Sequence, residues 1–304
     1  MVFSGSKILR LVLLILVLMT GAAQPVLSQE DSAARAVVQQ AMDNLAEGYQ
    51  YTLDWQTAQH FSGEDDEFNI YNRQSITGEV TANGDYAISV AAYAGESAEF
   101  VADMPPLEMQ QIQVDGELYI NLPNIDTDYA GFFDGLESGW QSYDEMHALF
   151  DDSTAQRLAF EGLTDIRLPA EFPLTEDMIL SLVEQDAETI DDVEMRVFAV
   201  EVDALELMLR QTPGTPLERM RLMLESADFF KKSELSLRYT LWIGAADGQL
   251  YRGESVGSTF LPYLTEEEQG VPYDLRIESS AAFTIARHGA VDAIRLPDEI
   301  AATD

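Results

Sequence analysis

The chain contains no cysteine, so no disulfide can brace it and no lipid can be attached through a thiol. Its stability has to come from a buried apolar core, and 304 residues are ample for one. Basic residues are scarce: 17 Lys and Arg stand against 54 Asp and Glu, a formal charge of −37. A surface of that sign repels phosphate backbones and anionic headgroups at long range, which argues against any nucleic-acid partner. Linkers rich in Pro, Gly or Ser are missing, as is any internal repeat beyond recurring hairpins, so one domain is expected. Beyond residue 28 no apolar run is long enough to cross a bilayer as a helix.

What is present begins with a leader. Lys7 and Arg10 precede the apolar run Leu11 to Met19, and small residues follow at Ala22, Ala23 and Ser28. That layout predicts a secretory signal over 1–28, cleaved or kept as a signal anchor, and an exported domain over 29–304. Without Lys7 and Arg10, 15 of the 17 basic residues remain against 54 acidic ones, a net charge of about −39. Runs such as Gly63-Glu64-Asp65-Asp66-Glu67 and Thr265-Glu266-Glu267-Glu268 fit solvated turns.

The segment from Leu235 to Ser255 alternates apolar and polar residues into Asp247-Gly248 and out again. Leu235, Leu237, Tyr239, Leu241 and Ile243 share one face, and Asp-Gly suits the positive φ of a two-residue hairpin. Asn83-Gly84 and Asp115-Gly116 repeat the device, predicting one large antiparallel sheet. Strands are expected at about 49–61, 68–81, 86–93, 99–103, 109–114, 117–122, 194–202, 234–243, 249–256, 273–286 and 291–295. Pro297 marks where pairing stops.

Helices are expected at the start and in the middle. Ala34, Val37, Val38, Ala41, Met42 and Leu45 have the spacing of an amphipathic helix over 31–47. Thr175 can cap a helix running to Gln185, with Met178, Ile179, Leu182 and Val183 as its apolar face. Two further helical runs, 204–211 and 217–230, flank Thr212-Pro213-Gly214-Thr215-Pro216. Met178, Met208, Met220 and Met223 lie on these helices, where flexible thioethers suit either a compliant lid or ordinary core packing.

The chain resembles the LolA, LolB and LppX superfamily of exported lipoprotein and lipid carriers. The residues that carry the resemblance are Val114 to Ile120, the Ser138-Gly139-Trp140 step, Leu241-Trp242-Ile243 through Asp247-Gly248-Gln249-Leu250, and Ile294-Arg295-Leu296-Pro297. The resemblance implies an α+β fold: a strongly curved antiparallel sheet, an incomplete barrel, with helices over its concave, open side. It also implies an apolar cavity for acyl chains. The anchoring cysteine of the LppX branch has no counterpart here.

A dry space between sheet and helices suits hydrocarbon on physical grounds as well. The candidate lining is Leu53, Trp55, Ile112, Val114, Leu118, Ile120, Leu237, Tyr239, Leu241 and Ile243 from the sheet, with Met178, Leu182, Met220 and Met223 from the helices. The expected function is a monomeric carrier or chaperone for lipid or lipoprotein acyl chains, with an envelope protein as a possible partner. The alternative is a non-enzymatic interaction or sensor module of the same fold with a filled core. No cofactor is expected.

Enzymatic motifs do not assemble. Gly253-Glu254-Ser255-Val256-Gly257 has the G-x-S-x-G pattern, yet a hairpin strand precedes it and Phe260-Leu261-Pro262 follows, not the strand, sharp turn and helix that chemistry needs. His60, His147 and His288 have no zinc-site spacing. Asn124, Asp126 and Asp128 alternate as in a calcium loop, but Tyr129 replaces the required glycine and the closing glutamate is missing.

Overall fold

The computed structural model describes residues 30–63, 67–99, 105–125, 138–148, 174, 178–204, 234–264 and 273–301. The leader, the two helical runs with Met208, Met220 and Met223, apart from Ala204 itself, and Asp126 and Asp128 lie outside the described residues.

Among the described residues, twelve strands form one antiparallel sheet, curved but not closed into a barrel. In chain order they are β1 (Gly48–Ser62), β2 (Glu67–Thr81), β3 (Tyr86–Gly95), β4 (Leu107–Val114), β5 (Glu117–Asn121), β6 (Trp140–Ser142), β7 (Ile179–Glu184), β8 (Glu188–Ile190), β9 (Val193–Val202), β10 (Glu234–Gly244), β11 (Leu250–Leu264) and β12 (Tyr273–Ala286). Their spatial order is β6-β5-β4-β3-β2-β1-β12-β11-β10-β9-β7, with β8 paired to β9. The sheet is thus two meanders joined where β1 meets β12.

Turn chemistry fixes the hairpins. Asp115 and Gly116 take φ of 53° and 87°, so Val114 pairs with Glu117 across a two-residue turn. Asp191 and Asp192, also at positive φ, turn β8 into β9 in the same way. The Asp247-Gly248 turn is longer than expected. Only Gly248 has positive φ, and the loop closes through Gly244 N–H to Gln249 O at 2.9 Å, with a bulge at Trp242 and Ile243.

Curvature brings cross-strand aromatic rings over glycines. The Tyr51 ring covers Gly78 and the Phe283 ring covers Gly253, each occupying the space a Cβ would need. Such pairs let the backbone bend while the ring keeps the face apolar.

One face packs under α1 (Glu30–Asn44), which buries Ala34, Val38 and Ala41, with Leu45 just beyond its end. Arg35 donates from Nη2 to the Ile179 carbonyl at 3.1 Å, and Asn44 donates to the Gly248 carbonyl at 3.1 Å, docking both ends of the helix. The cluster beneath runs from Ile120 and Met109 through Val90, Ile76, Tyr51 and Phe283 to Leu241, Phe198 and Leu182. We call this the inner face.

Three expected elements differ. Ile179–Glu184 is a strand, not a helix, because its apolar positions satisfy a short buried strand beside β9. Glu99 ends the described stretch after β3 in a helical turn, outside any strand. Residues 291–295 pair with no strand; Val291 and Ile294 instead pack on Ile112 before α3 (Asp298–Ala301). A further short helix, α2 (Tyr143–Ala148), buries Met146 in the main cluster.

Candidate functional site

Strand register sorts every side chain to one face. Leu53 stands between Ile76 and Phe283, Trp55 between Gln74 and Ala281, Thr57 between Asn72 and Ser279, and Gln59 between Ile70 and Ile277. β11 and β10 continue the inner face with Gly253, Ser255, Gly257 and Thr259, then Leu235, Leu237, Tyr239 and Leu241. From β5 across to β10, no described inward side chain is Asp, Glu, Lys, Arg or His. Charged residues crowd the outer face instead: Asp54 beside Arg73, Arg252 beside Glu254, and Glu79 bonded to Gln50 at 3.0 Å. In a chain that is 23% charged, an uncharged wall of this extent is a built feature.

Burial along β1 divides the inner wall. Tyr49 and Tyr51 are buried, Leu53 and Trp55 are half-buried, and Thr57, Gln59 and Phe61 are buried again. The half-covered stretch extends sideways to Gln74, Ser255, Ser279, Ala281 and Leu237. At the α1 end the core is solid: Tyr49, Ile120, Met146, Met178 and Ile243 are 0% exposed. Burial raises the phenol pKa of Tyr239, and of Tyr51, where neighbouring Tyr49 and Tyr86 add to it, so both rings stay neutral.

The candidate lining is only partly brought together. Leu53, Leu118, Ile120, Leu237, Tyr239, Leu241, Ile243, Met178 and Leu182 belong to the inner cluster, and Trp55 shares its face. Met178 and Leu182 reach it from the start of β7 rather than from a helix. Ile112 and Val114 face the other way. They pack with Trp140, Val291, Ile294 and Leu296 under the C-terminal segment, so they line no inner cavity. Sequence reasoning missed the polar inward positions Thr57, Gln59, Asn72 and Ser279; their alternation with Trp55 and Phe61 along β1 was the available signal.

The outer face carries a groove of about 550 Å3 across β1 to β4 and β12. Gln50, Thr52, Thr77, Ser89, Gln110 and Thr284 line it, with Ile112 and Trp140 at one side. It is open and rich in hydroxyls and amides, unlike the enclosed apolar chamber expected for hydrocarbon.

Catalytic and metal motifs stay apart. Ser255 lies mid-strand in β11 between Tyr239 and Ala281, with no elbow around it. His60 bonds Asn69 at 2.7 Å and His288 bonds the Leu250 carbonyl at 2.8 Å. Asn124 ties the start of β4, donating to Pro106 O and accepting from Glu108 N–H. Among the described residues no three His, Cys, Asp or Glu converge as a metal site, and no helix is long and apolar enough to cross a membrane.

Comparison with solved structures gives likenesses at low identity. The chain is similar to lipoprotein LppX. With that Mycobacterium tuberculosis protein it shares 13% identity and a TM-score of 0.38, over 87% of this chain and 100% of LppX. LprF from Mycobacterium bovis gives 12% and 0.38, over 90% of this chain and 99% of that one. A putative outer membrane lipoprotein-sorting protein domain from Vibrio parahaemolyticus gives 7% and 0.21, over 82% and 88%. Superpositions this loose carry no weight for function. No family model and no curated protein matches the chain.

Proposed function

We propose that this chain is an exported, non-enzymatic carrier that holds lipid or lipoprotein acyl chains against the inner face of its sheet. The supporting observation is the uncharged inner wall with a half-covered apolar stretch at Leu53, Trp55 and Leu237. Hydrocarbon binds such a wall by leaving water, at about 0.8 kcal/mol for each buried methylene. A dozen methylenes give about 10 kcal/mol before ordering and association costs, so affinity needs no reactive group. The Lys7–Ser28 leader supports export.

Protein purified from cells and opened by native mass spectrometry is expected to release lipid. Leu53→Asp and Leu237→Asp, each placing a carboxylate on the wall, are expected to release at least tenfold less while folding normally, since both sites are only half-buried. Empty wild-type protein that also ignores fluorescent fatty-acid probes would refute the carrier. The solid packing at Tyr49, Ile120, Met178 and Ile243 favours a second reading, an envelope interaction module with a filled core. A protein partner retained by Leu53→Asp and Leu237→Asp, with no lipid in the wild type, would favour that module.

A further inference from the structure

The inner wall is apolar at its ends, and in its middle neutral polar side chains stand among Trp55, Ala281, Leu237, Ile70 and Ile277. Between the Leu53, Ile76 and Phe283 row and the stacked Phe61 and Phe68 rings lies a belt of Gln74, Thr57, Asn72, Ser279, Gln59 and Thr259. Every member is a neutral hydroxyl or amide. Asn72 Nδ2 reaches Thr57 Oγ1 at 3.3 Å, so part of the belt satisfies itself. Gln59 does not. It is 4% exposed, and its Oε1 has no hydrogen-bond partner. A buried amide oxygen left unpaired is costly.

We infer that this belt, on the carrier reading above, seats the uncharged polar linkage of a lipid, an ester, amide or hydroxyl group lying between apolar arms. The apolar rows on either side take hydrocarbon, and Gln59 supplies the unused hydrogen-bonding group at the level where such a linkage comes to rest. The belt selects against ionised heads. No described inward strand position from β5 to β10 carries a cation to pair with a phosphate or carboxylate, and an unpaired charge there would lose its hydration without compensation. Arg35, the buried cation on α1, bonds the Ile179 carbonyl at the packed end of the face, away from the belt. The formal charge of −37 opposes anionic lipids further.

The test uses two lipids with identical arms, dipalmitoylglycerol and dipalmitoyl phosphatidic acid, competing for delipidated protein from mixed micelles, with bound lipid read by native mass spectrometry. The neutral lipid is expected to be favoured at least tenfold. Gln59→Leu, close in volume and apolar, is expected to lower affinity for dipalmitoylglycerol about three- to tenfold, the size of one lost hydrogen bond to a neutral group. Thr57→Val serves as a second, nearly isosteric variant and is expected to act in the same direction. Equal or stronger binding of phosphatidic acid overturns the inference while leaving the carrier intact, as does unchanged dipalmitoylglycerol affinity in both variants. If neither lipid binds while protein purified from cells still releases lipid, the inference falls and the carrier stands; if that protein is also empty, both fall.

Discussion

Replacing Tyr51 by Phe should stabilise the protein, contrary to the usual cost of truncating a buried tyrosine. Its hydroxyl sits over Gly78 in the inner cluster, 3% exposed as a residue, and has no hydrogen-bond partner. An unpaired buried hydroxyl costs about 1–3 kcal/mol, whereas the contacts of one oxygen atom return only a few tenths. The net gain is about 1 kcal/mol, which for a domain of this size raises Tm by about 2 °C. Urea unfolding followed by tryptophan fluorescence would measure it as a higher midpoint at unchanged slope. A midpoint lowered by more than about 1 kcal/mol equivalent would refute the reasoning, because the hydroxyl would then have to be bonded.

Two further perturbations probe the sheet. Gly253→Ala pushes a methyl into the buried Phe283 ring and is expected to cost about 1–3 kcal/mol, seen as an earlier urea midpoint; an unchanged midpoint would mean the ring is free to move aside. Arg196 donates twice to Glu184, at 2.7 and 2.8 Å, and these hydrogen bonds hold the Glu184 carboxyl below the usual carboxylate range. A lowered folded pKa contributes stability that is complete above the unfolded value and lost as pH falls through the folded one. The pair is partly exposed, so the contribution is at most about 1 kcal/mol. Wild type and Glu184→Gln are therefore expected to differ in urea midpoint at pH 7 and to converge towards pH 3, and a gap that widens on acidification would reverse the assignment.

Much of the sheet was legible because period-two alternation and turn residues agree. Tyr86, Ile88 and Val90, or Leu237, Tyr239 and Leu241, leave little freedom over which face goes inward. Ile179–Glu184 was ambiguous in principle, since Ile179, Leu182 and Val183 satisfy helical spacing and a short strand alike, and only pairing with β9 decides it. The Asp191-Asp192 turn carried no glycine to announce it. The placing of Ile112 and Val114 could have been settled beforehand. A two-residue turn at Asp115-Gly116 sets Val114 opposite Glu117 and Ile112 opposite Tyr119, which forces Leu118 and Ile120 to the other face. The polar belt escaped notice because hydrophobicity was the criterion for lining residues, and Thr57 and Gln59 fail it while keeping the inward parity of Trp55 and Phe61.

The pairing of β1 with β12, from Gln50 with Ala286 to Ser62 with Asp274, joins the first described strand to the last. Each meander can zip up from local hairpins, but this join must close a loop containing nearly everything between, an entropic toll that makes it a late event. Leu53, Trp55 and Thr57 meet Phe283, Ala281 and Ser279 along that line, so the vessel has no continuous floor until its final strand arrives. A chain cut short before β12 would accordingly lack that floor, however well its hairpins had formed.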